Sequence, residues 1–254
     1  MSSIPAESAS DALLRPIRSG NAFEETVERL LQMVRLGVYA PGESLLPERE
    51  LARRLGVSRD TVREAIRSLA EAGYLVTTRG RYGGTFLAEN LPKAEPVTPG
   101  HRTEADVDDL LTVRELLEVG AIRMASRRSL SAAERDLLWT RLTDVMEATP
   151  EAYRRLDSRL HLTFAELVGA PSLTALVADN RMLINQMLDQ IPLLERNIAH
   201  SNEQHHVIVL AVLTGDQDRA VQAMEEHLAG TAALLRGFLG DSTAIDRTAT
   251  PSDC

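Results

Sequence analysis

The sequence predicts a mainly α protein in two parts: an N-terminal module of short helices closed by a β-hairpin, then a C-terminal all-α antiparallel helical bundle. Three observations predict it. Apolar residues make up 44% of the 254 residues but aromatics only 4%, so the core must be built from Leu, Ala, Val and Met packing helix on helix. Strand-like patterns are confined to residues 74–87, and helical periodicity dominates elsewhere. A segment with Pro92, Pro96, Pro99 and Gly100 divides the chain, which at 254 residues is long enough for two domains.

Taken in order, residues 1–20 read as a flexible tail. Asn21 with Glu24 three residues on is a helix-start signature. Phe23, Val27, Leu30, Leu31 and Val34 then recur at helical spacing until Gly37. Pro41-Gly42 marks a turn, and Pro47 suits the first turn of a second helix whose buried face is Leu51, Ala52 and Leu55. Gly56-Val57 makes a tight turn. Ser58 is a strong N-cap for a third helix, with Asp60 in its first turn and Val62, Ile66 and Leu69 facing inward. Gly73 ends that helix. Tyr74–Thr78 and Thr85–Leu87 read as strands around a tip of Arg-Gly-Arg-Tyr-Gly-Gly. Residues 21–88 thus form a winged helix-turn-helix.

Residues 89–103 keep no periodic pattern and read as a linker. Six helical patterns follow, near 104–127, 131–147, 150–168, 172–189, 192–213 and 216–238, broken at Pro150, Pro171, Pro192 and Gly215-Asp216. Residues 104–240 are therefore an all-helical bundle, and 241–254 a second flexible tail. Cys254 is the only cysteine, so a disulfide or Cys-based zinc site within this chain is excluded. The longest apolar run, Val207 to Leu213, is too short to cross a bilayer. The N-terminus lacks a signal-peptide layout, so a cytoplasmic protein without membrane contact is expected.

The net charge of −9 argues at first against a nucleic-acid partner. Its distribution weakens the objection, because residues 1–90 hold 12 Lys+Arg against 12 Asp+Glu and the whole excess lies beyond them. Within residues 49–67, Arg49, Arg53, Arg54, Arg59, Arg63 and Arg67 outnumber Glu50, Asp60 and Glu64. A helix-turn-helix inserts the N-terminal end of its second helix in the major groove, where base edges identify every base pair. Here that end is Ser58-Arg59-Asp60-Thr61-Val62-Arg63. Arg59 and Arg63 can donate in pairs to guanine, while Ser58 and Thr61 can bond phosphates or bases. Arg49 is placed to touch backbone or base. In the wing, Gly80 permits close approach and Arg79 and Arg81 bring charge to the minor groove or phosphates.

The string PERELARRLGVSRDTVREAIRSLAEAGYL…RGRYGGTF resembles the N-terminal domain of GntR-family bacterial transcription regulators over roughly residues 22–88. The resemblance implies that Arg49, Arg59, Arg63 and Gly80 contact operator DNA. Tyr82 departs from the pattern, since a glycine is common there.

The bundle carries a second candidate site. Asp157 and His161 lie four apart on one predicted helix and share a face. His205 and His227 lie on two later helices. Such a set could build a metal site in a bundle core, or be ordinary satisfied or surface histidines. His200 and His206 read as surface. The second domain is similar to the FCD ligand-binding domain of FadR-type GntR regulators, which carries Asp-x-x-x-His on one helix, a His before an apolar stretch and Gly-Asp, and a final His before Leu. The matching positions here are Asp157, His161, His205 rather than His206, and His227. The resemblance implies a bound zinc, nickel or manganese ion. It also implies that Arg114, in LLTVRELLEVG, points into an effector cavity and suits a small carboxylate; alternatively Arg114 pairs with Glu118 on its own helix. Gly169-Ala170-Pro171 departs from the family's Gly-Asn-Pro.

The function expected is a ligand-responsive regulator, a repressor, gripping a palindromic double-stranded operator as a homodimer, with residues 104–240 as the FCD-like effector- and metal-binding and dimerisation domain. The alternatives are a metal-dependent hydrolase with an appended DNA module, and an architectural DNA protein with a structural bundle.

Overall fold

The computed structural model describes residues 8–17, 22–80, 83–92 and 104–240. Asn21, Arg81, Tyr82, His101, most of the 89–103 segment and the 241–254 tail lie outside the described residues. The described chain runs α1 (Ala9–Leu13), α2 (Ala22–Arg35), α3 (Glu48–Leu55), α4 (Arg59–Glu71), β1 (Leu75–Thr78), β2 (Gly84–Leu87), α5 (Glu104–Ala125), α6 (Ala132–Met146), α7 (Pro150–Val168), α8 (Pro171–Leu188), α9 (Glu195–Thr214) and α10 (Gln217–Gly240). No helix among these residues is long and apolar enough to cross a membrane.

The winged module forms for the reasons its sequence supplies. Gly56 closes α3 in the left-handed conformation, its N–H donating to the Ala52 carbonyl. The Ser58 Oγ accepts from the Thr61 N–H at 3.0 Å and starts α4. Val62, Ala65, Ile66 and Leu69 are buried against Leu51, Leu55, Leu30 and Met33. Strands β1 and β2 pair antiparallel with Leu75 opposite Leu87. A third extended segment, not foreseen, joins them: the Leu45 N–H donates to the Thr85 carbonyl at 2.8 Å and the Leu87 N–H to the Glu43 carbonyl at 2.9 Å.

The helical domain packs α5 along α10, α7 and α8, and α6 against α7 and α9. Helices α5 and α10 run antiparallel: Asp108 meets Arg236 at 2.9 Å at one end, and Arg127 donates to Gln217 at the other. Every helix predicted between 104 and 238 is found, with ends shifted by up to three residues.

The largest correction is at the N-terminus. Residues 8–17 are not a tail. Ser8 caps α1, and Ala9, Ala12, Leu13 and Leu14 are buried. Five residues cannot hold a helix alone, so packing holds this one. It lies against α8, α2 and α7. Arg15 donates to the Pro171 carbonyl, and the Ala9 N–H to Glu166.

The two parts are docked by α2 as well. Gln32 donates to Asp179 of α8 at 2.7 Å. Gly37, with φ +67°, sits so close to α7 that a Cβ there would lie 2.9 Å from the Arg155 carbonyl oxygen. Glycine is required both for that dihedral and for that approach. Replacing Leu13, fully buried, with Ala should cost about 2–5 kcal/mol in urea unfolding. A loss under about 0.5 kcal/mol would return the segment to a tail.

Candidate metal centre and nucleic-acid interface

Five helices of the bundle converge on one buried cluster. Asp157 and His161 of α7, His205 of α9 and His227 of α10 bring their ligand atoms within 4.8 Å of one another. The register of α7 puts Asp157 and His161 one turn apart on the same face. Asp157 Oδ1 lies 3.3 Å from His205 Nε2 and 3.7 Å from His161 Nε2, and the two Nε2 atoms are 3.4 Å apart. Four donors about 2.1 Å from one tetrahedral ion would stand about 3.4 Å from each other, so these separations fit a first-row divalent ion. His206, the neighbour excluded by sequence register, is instead half-buried edge-on to Trp139, and His200 is exposed.

The ring nitrogens are oriented from behind. His161 Nδ1 pairs with the Glu118 carboxylate, leaving Nε2 to face the cluster. His227 Nδ1 donates to Gln204 Oε1 at 3.1 Å with the same consequence. His205 Nδ1 is buried without a hydrogen-bond partner among the described residues.

Around the histidines lies a quartet of charges, with Arg114, Glu118 and Arg181 buried and Asp157 nearly so. Arg181 of α8, fully buried, donates to Asp157 Oδ2, to Ser158 Oγ at 3.3 Å and to Glu118 Oε1 at 3.4 Å. Arg114 of α5 donates through Nε to the same Glu118 oxygen at 3.1 Å. Arg114 thus pairs with Glu118 on its own helix, and its Nη1 is buried with no hydrogen-bond partner among the described residues. Burial alone would raise the Glu118 carboxyl, but Arg114, His161 and Arg181 hold it well below the usual carboxylate range. Burial likewise opposes ionisation of Asp157, and Arg181 and the two histidines overcome it. Burial, with Arg181 beside it, pushes His161 down to about 4 despite Glu118 and Asp157. His227 is held well below its usual value by burial and by His205 and His161. The His161 and His227 imidazoles are thus neutral at neutral pH, the form that binds a metal.

Sequence reasoning singled out the four cluster residues and Arg114, and weighed Glu118 only as a partner of Arg114. It missed Arg181 and Gln204. Arg181 had a faint signal, as a cation in a helix that otherwise buries Val177, Ala178, Ile184 and Met187. Neither described cleft includes the cluster. One, of about 790 Å³, lies between the winged module and α7, lined by Arg35, Tyr74, Leu91 and Arg155. The other, of about 220 Å³, lies between α9 and α10.

The winged module presents a separate surface. Arg49, Ser58, Arg59, Arg63, Arg79 and Gly80 are exposed and Thr61 half-buried. The six arginines of residues 49–67 are not equivalent. Arg53 and Arg54 pair with Glu50, and Arg54 also with Asp11. Arg63 is held by Asp60 at 3.0 Å and Glu48 at 3.2 Å. Among the described residues Arg49, Arg59 and Arg67 form no ion pair. Arg59 opens the helix that the module exposes, and its charge is uncommitted within those residues.

Comparison with known proteins places both parts. The profile of the bacterial regulatory proteins, gntR family, matches residues 22–87, and that of the FCD domain matches residues 109–230. RmpR, by name an HTH-type transcriptional regulator of Mycobacterium gastri, is 30% identical over 210 residues, covering 80% of this chain and 76% of RmpR. The HTH-type transcriptional regulator LutR of Bacillus subtilis is 27% identical, covering 83% of this chain and 99% of its own. The HTH-type transcriptional repressor NanR of Cronobacter sakazakii is 28% identical, covering 88% and 90%. The solved structure of E. coli McbR/YncC covers 87% of this chain and 99% of its own at 17% identity with a TM-score of 0.52, a likeness of fold alone.

The charge quartet yields a direct test. Arg181→Met leaves Asp157 and Glu118 without their shared cation, and metal-free protein should lose about 3–5 kcal/mol of unfolding free energy. A loss below about 1 kcal/mol in urea titration would show that the two carboxylates do not depend on it.

Proposed function

The chain belongs to the gntR family of bacterial regulatory proteins and carries an FCD domain, and from that premise we propose a repressor whose grip on its operator is set by a small carboxylate bound beside a metal ion in the helical domain. The single observation that carries this reading is the pairing of a four-ligand cluster with Arg114, whose buried Nη1 has no hydrogen-bond partner among the described residues. A buried, unsatisfied guanidinium N–H costs about 1–3 kcal/mol, and an anionic ligand repays that cost.

In this reading Asp157, His161, His205 and His227 hold zinc, nickel or manganese. When bound, the ion supplies positive charge that attracts a carboxylate oxygen. Arg114 binds the same ligand through its free N–H, and Arg181 holds Asp157 ionised and in place. Glu118, the carboxylate behind the cluster, is fully engaged by His161, Arg114 and Arg181. It is therefore not positioned as a general base, which favours sensing over hydrolysis.

Arg59, Arg49 and the wing residues Arg79, Gly80 and Arg81 make the DNA contacts, with Ser58, Thr61 and Arg63 completing the reading end of α4. The chain works as a homodimer, so that two recognition helices meet successive major-groove faces of a palindrome. Two helices link the sites. On α7, Asp157 and His161 face the cluster while Arg155 backs Gly37. On α8, Arg181 faces the cluster while Asp179 receives Gln32. A ligand that shifts either helix moves the surface on which α2 rests, and by linkage DNA and ligand alter each other's affinity equally.

Arg59→Ala should weaken operator binding by about 1–3 kcal/mol, roughly 5- to 150-fold, in a gel shift at fixed salt. Unchanged affinity would reject the reading face. His205→Ala should purify without metal while His206→Ala keeps it, by elemental analysis. In wild-type protein a carboxylate at 100 times its Kd should raise Tm by about 5–10 °C, an effect lost in His205→Ala and Arg114→Ala. Equal metal loss in the two histidine variants would refute the ligand assignment.

A further inference from the structure

Helix α5 carries an outer face that nothing among the described residues covers. Leu116 is 72% exposed, Met124 51% and Val113 37%. At about 100° per residue, Asp109, Val113, Leu116, Gly120, Arg123 and Met124 fall within an arc of about 100°. They form one continuous stripe along a 22-residue helix. Charge is split along it, with Asp109 toward the start and Arg123 toward the end. Both are exposed and, among the described residues, neither forms an ion pair.

Gly120 sits in the middle of the stripe. A Cβ there would meet nothing within 4 Å, so nothing described in a single chain calls for glycine. Glycine inside a helix costs about 0.5–1 kcal/mol against alanine. Close approach of another backbone is the physical reason to keep it.

We propose that this stripe is where a second copy of the chain docks, with the two α5 helices antiparallel about a two-fold axis at Leu116. The inference rests on the homodimer in the proposed function and gives it a surface. The pattern is self-complementary under that operation, as a two-fold interface requires. Asp109 of each copy meets Arg123 of the other, Leu116 packs on Leu116, and Thr112 and Val113 pass over the bare backbone at Gly120. Parallel pairing would set Asp109 against Asp109 and Arg123 against Arg123. A 22-residue helix is about 33 Å long and, with side chains, about 10 Å wide. That face supplies roughly 330 Å², short of the ~800 Å² per partner of a stable complex. Helix α10, packed antiparallel alongside and exposing Ala229 and Ala233 on one face, widens the surface.

The rival apolar patch is Trp139, Met146 and Leu210 on α6 and α9. Its flanking charges are satisfied in-chain, Arg141 by Asp144 and Arg135 by the Leu213 carbonyl. It therefore lacks the open charge pattern of α5.

Sedimentation equilibrium of the full chain, without DNA, tests the proposal. Wild type should be a dimer. Leu116→Glu, Asp109→Arg and Arg123→Asp should each weaken self-association at least about tenfold. The double reversal, Asp109→Arg with Arg123→Asp, should restore it to within about threefold, because every cross-pair regains opposite charge. These exposed positions leave the fold intact, checked by circular dichroism and the urea midpoint. The emission of Trp139, the only tryptophan, should not change on dilution through the dimer–monomer transition. A monomeric wild type, a Leu116→Glu dimer as tight as wild type, or a double reversal no better than the single ones would overturn the proposal. Dissociation by Trp139→Asp in place of Leu116→Glu would assign the interface to α6 and also overturn it. A chain that dimerises through α5 but binds no operator would defeat the proposed function and leave this inference standing. A Leu116→Glu chain that still dimerises and binds its operator as tightly as wild type would do the reverse.

Discussion

The structure depends on the cost of burying Asp157 and Glu118. Each carboxylate taken out of water carries a penalty of several kcal/mol unless it is paired and hydrogen-bonded. Arg181 answers both at once, and Arg114 answers Glu118 a second time. These four groups come from α5, α7 and α8, so their pairing fixes the relative registers of three helices. A chain content with a core of Leu and Val would not need them. That they are kept beside three histidines is the reason to read this interior as a binding site.

The same geometry explains how a message could leave the bundle. Helices α7 and α8 each have two working faces. One holds the cluster; the other holds α1 and α2. Arg159, between Asp157 and His161 on α7, and Glu166, five residues past His161, form a buried ion pair at 2.7 Å, and Glu166 also receives the Ala9 N–H. Side chains tied this tightly do not deform independently, because close-packed interiors transmit small displacements rather than absorbing them. The short α1 has no stability of its own and exists only while that seat is in place.

Much of this was legible from one sequence. The winged module could be read because its signals are local: Ser58 at an N-cap, Gly56 at a turn, and the spacing of Val62, Ile66 and Leu69. The bundle helices could be read from apolar periodicity and from Pro150, Pro171 and Gly215. The cluster could be read in part, since Asp157 and His161 announce a shared face at four-residue spacing, while His205 and His227 needed the family resemblance. Residues 8–17 were misread. Alpha-1 is too short and too weakly patterned to signal a helix, and it owes its order to Leu13 and Leu14 finding a groove made by residues far along the chain.

By itself, then, the sequence determined the order and type of the elements from α2 to α10 and the face of α4 that meets solvent, because those follow from side-chain spacing and backbone preference within a few residues. Tertiary structure alone decided that Arg181 would bridge Asp157 and Glu118, that Arg63 would be held by Glu48 while Arg59 forms no ion pair among the described residues, and that α1 would be a strut. Each of those outcomes depends on groups 15 to 157 residues apart being brought within a few ångströms, and no local pattern encodes such a distance.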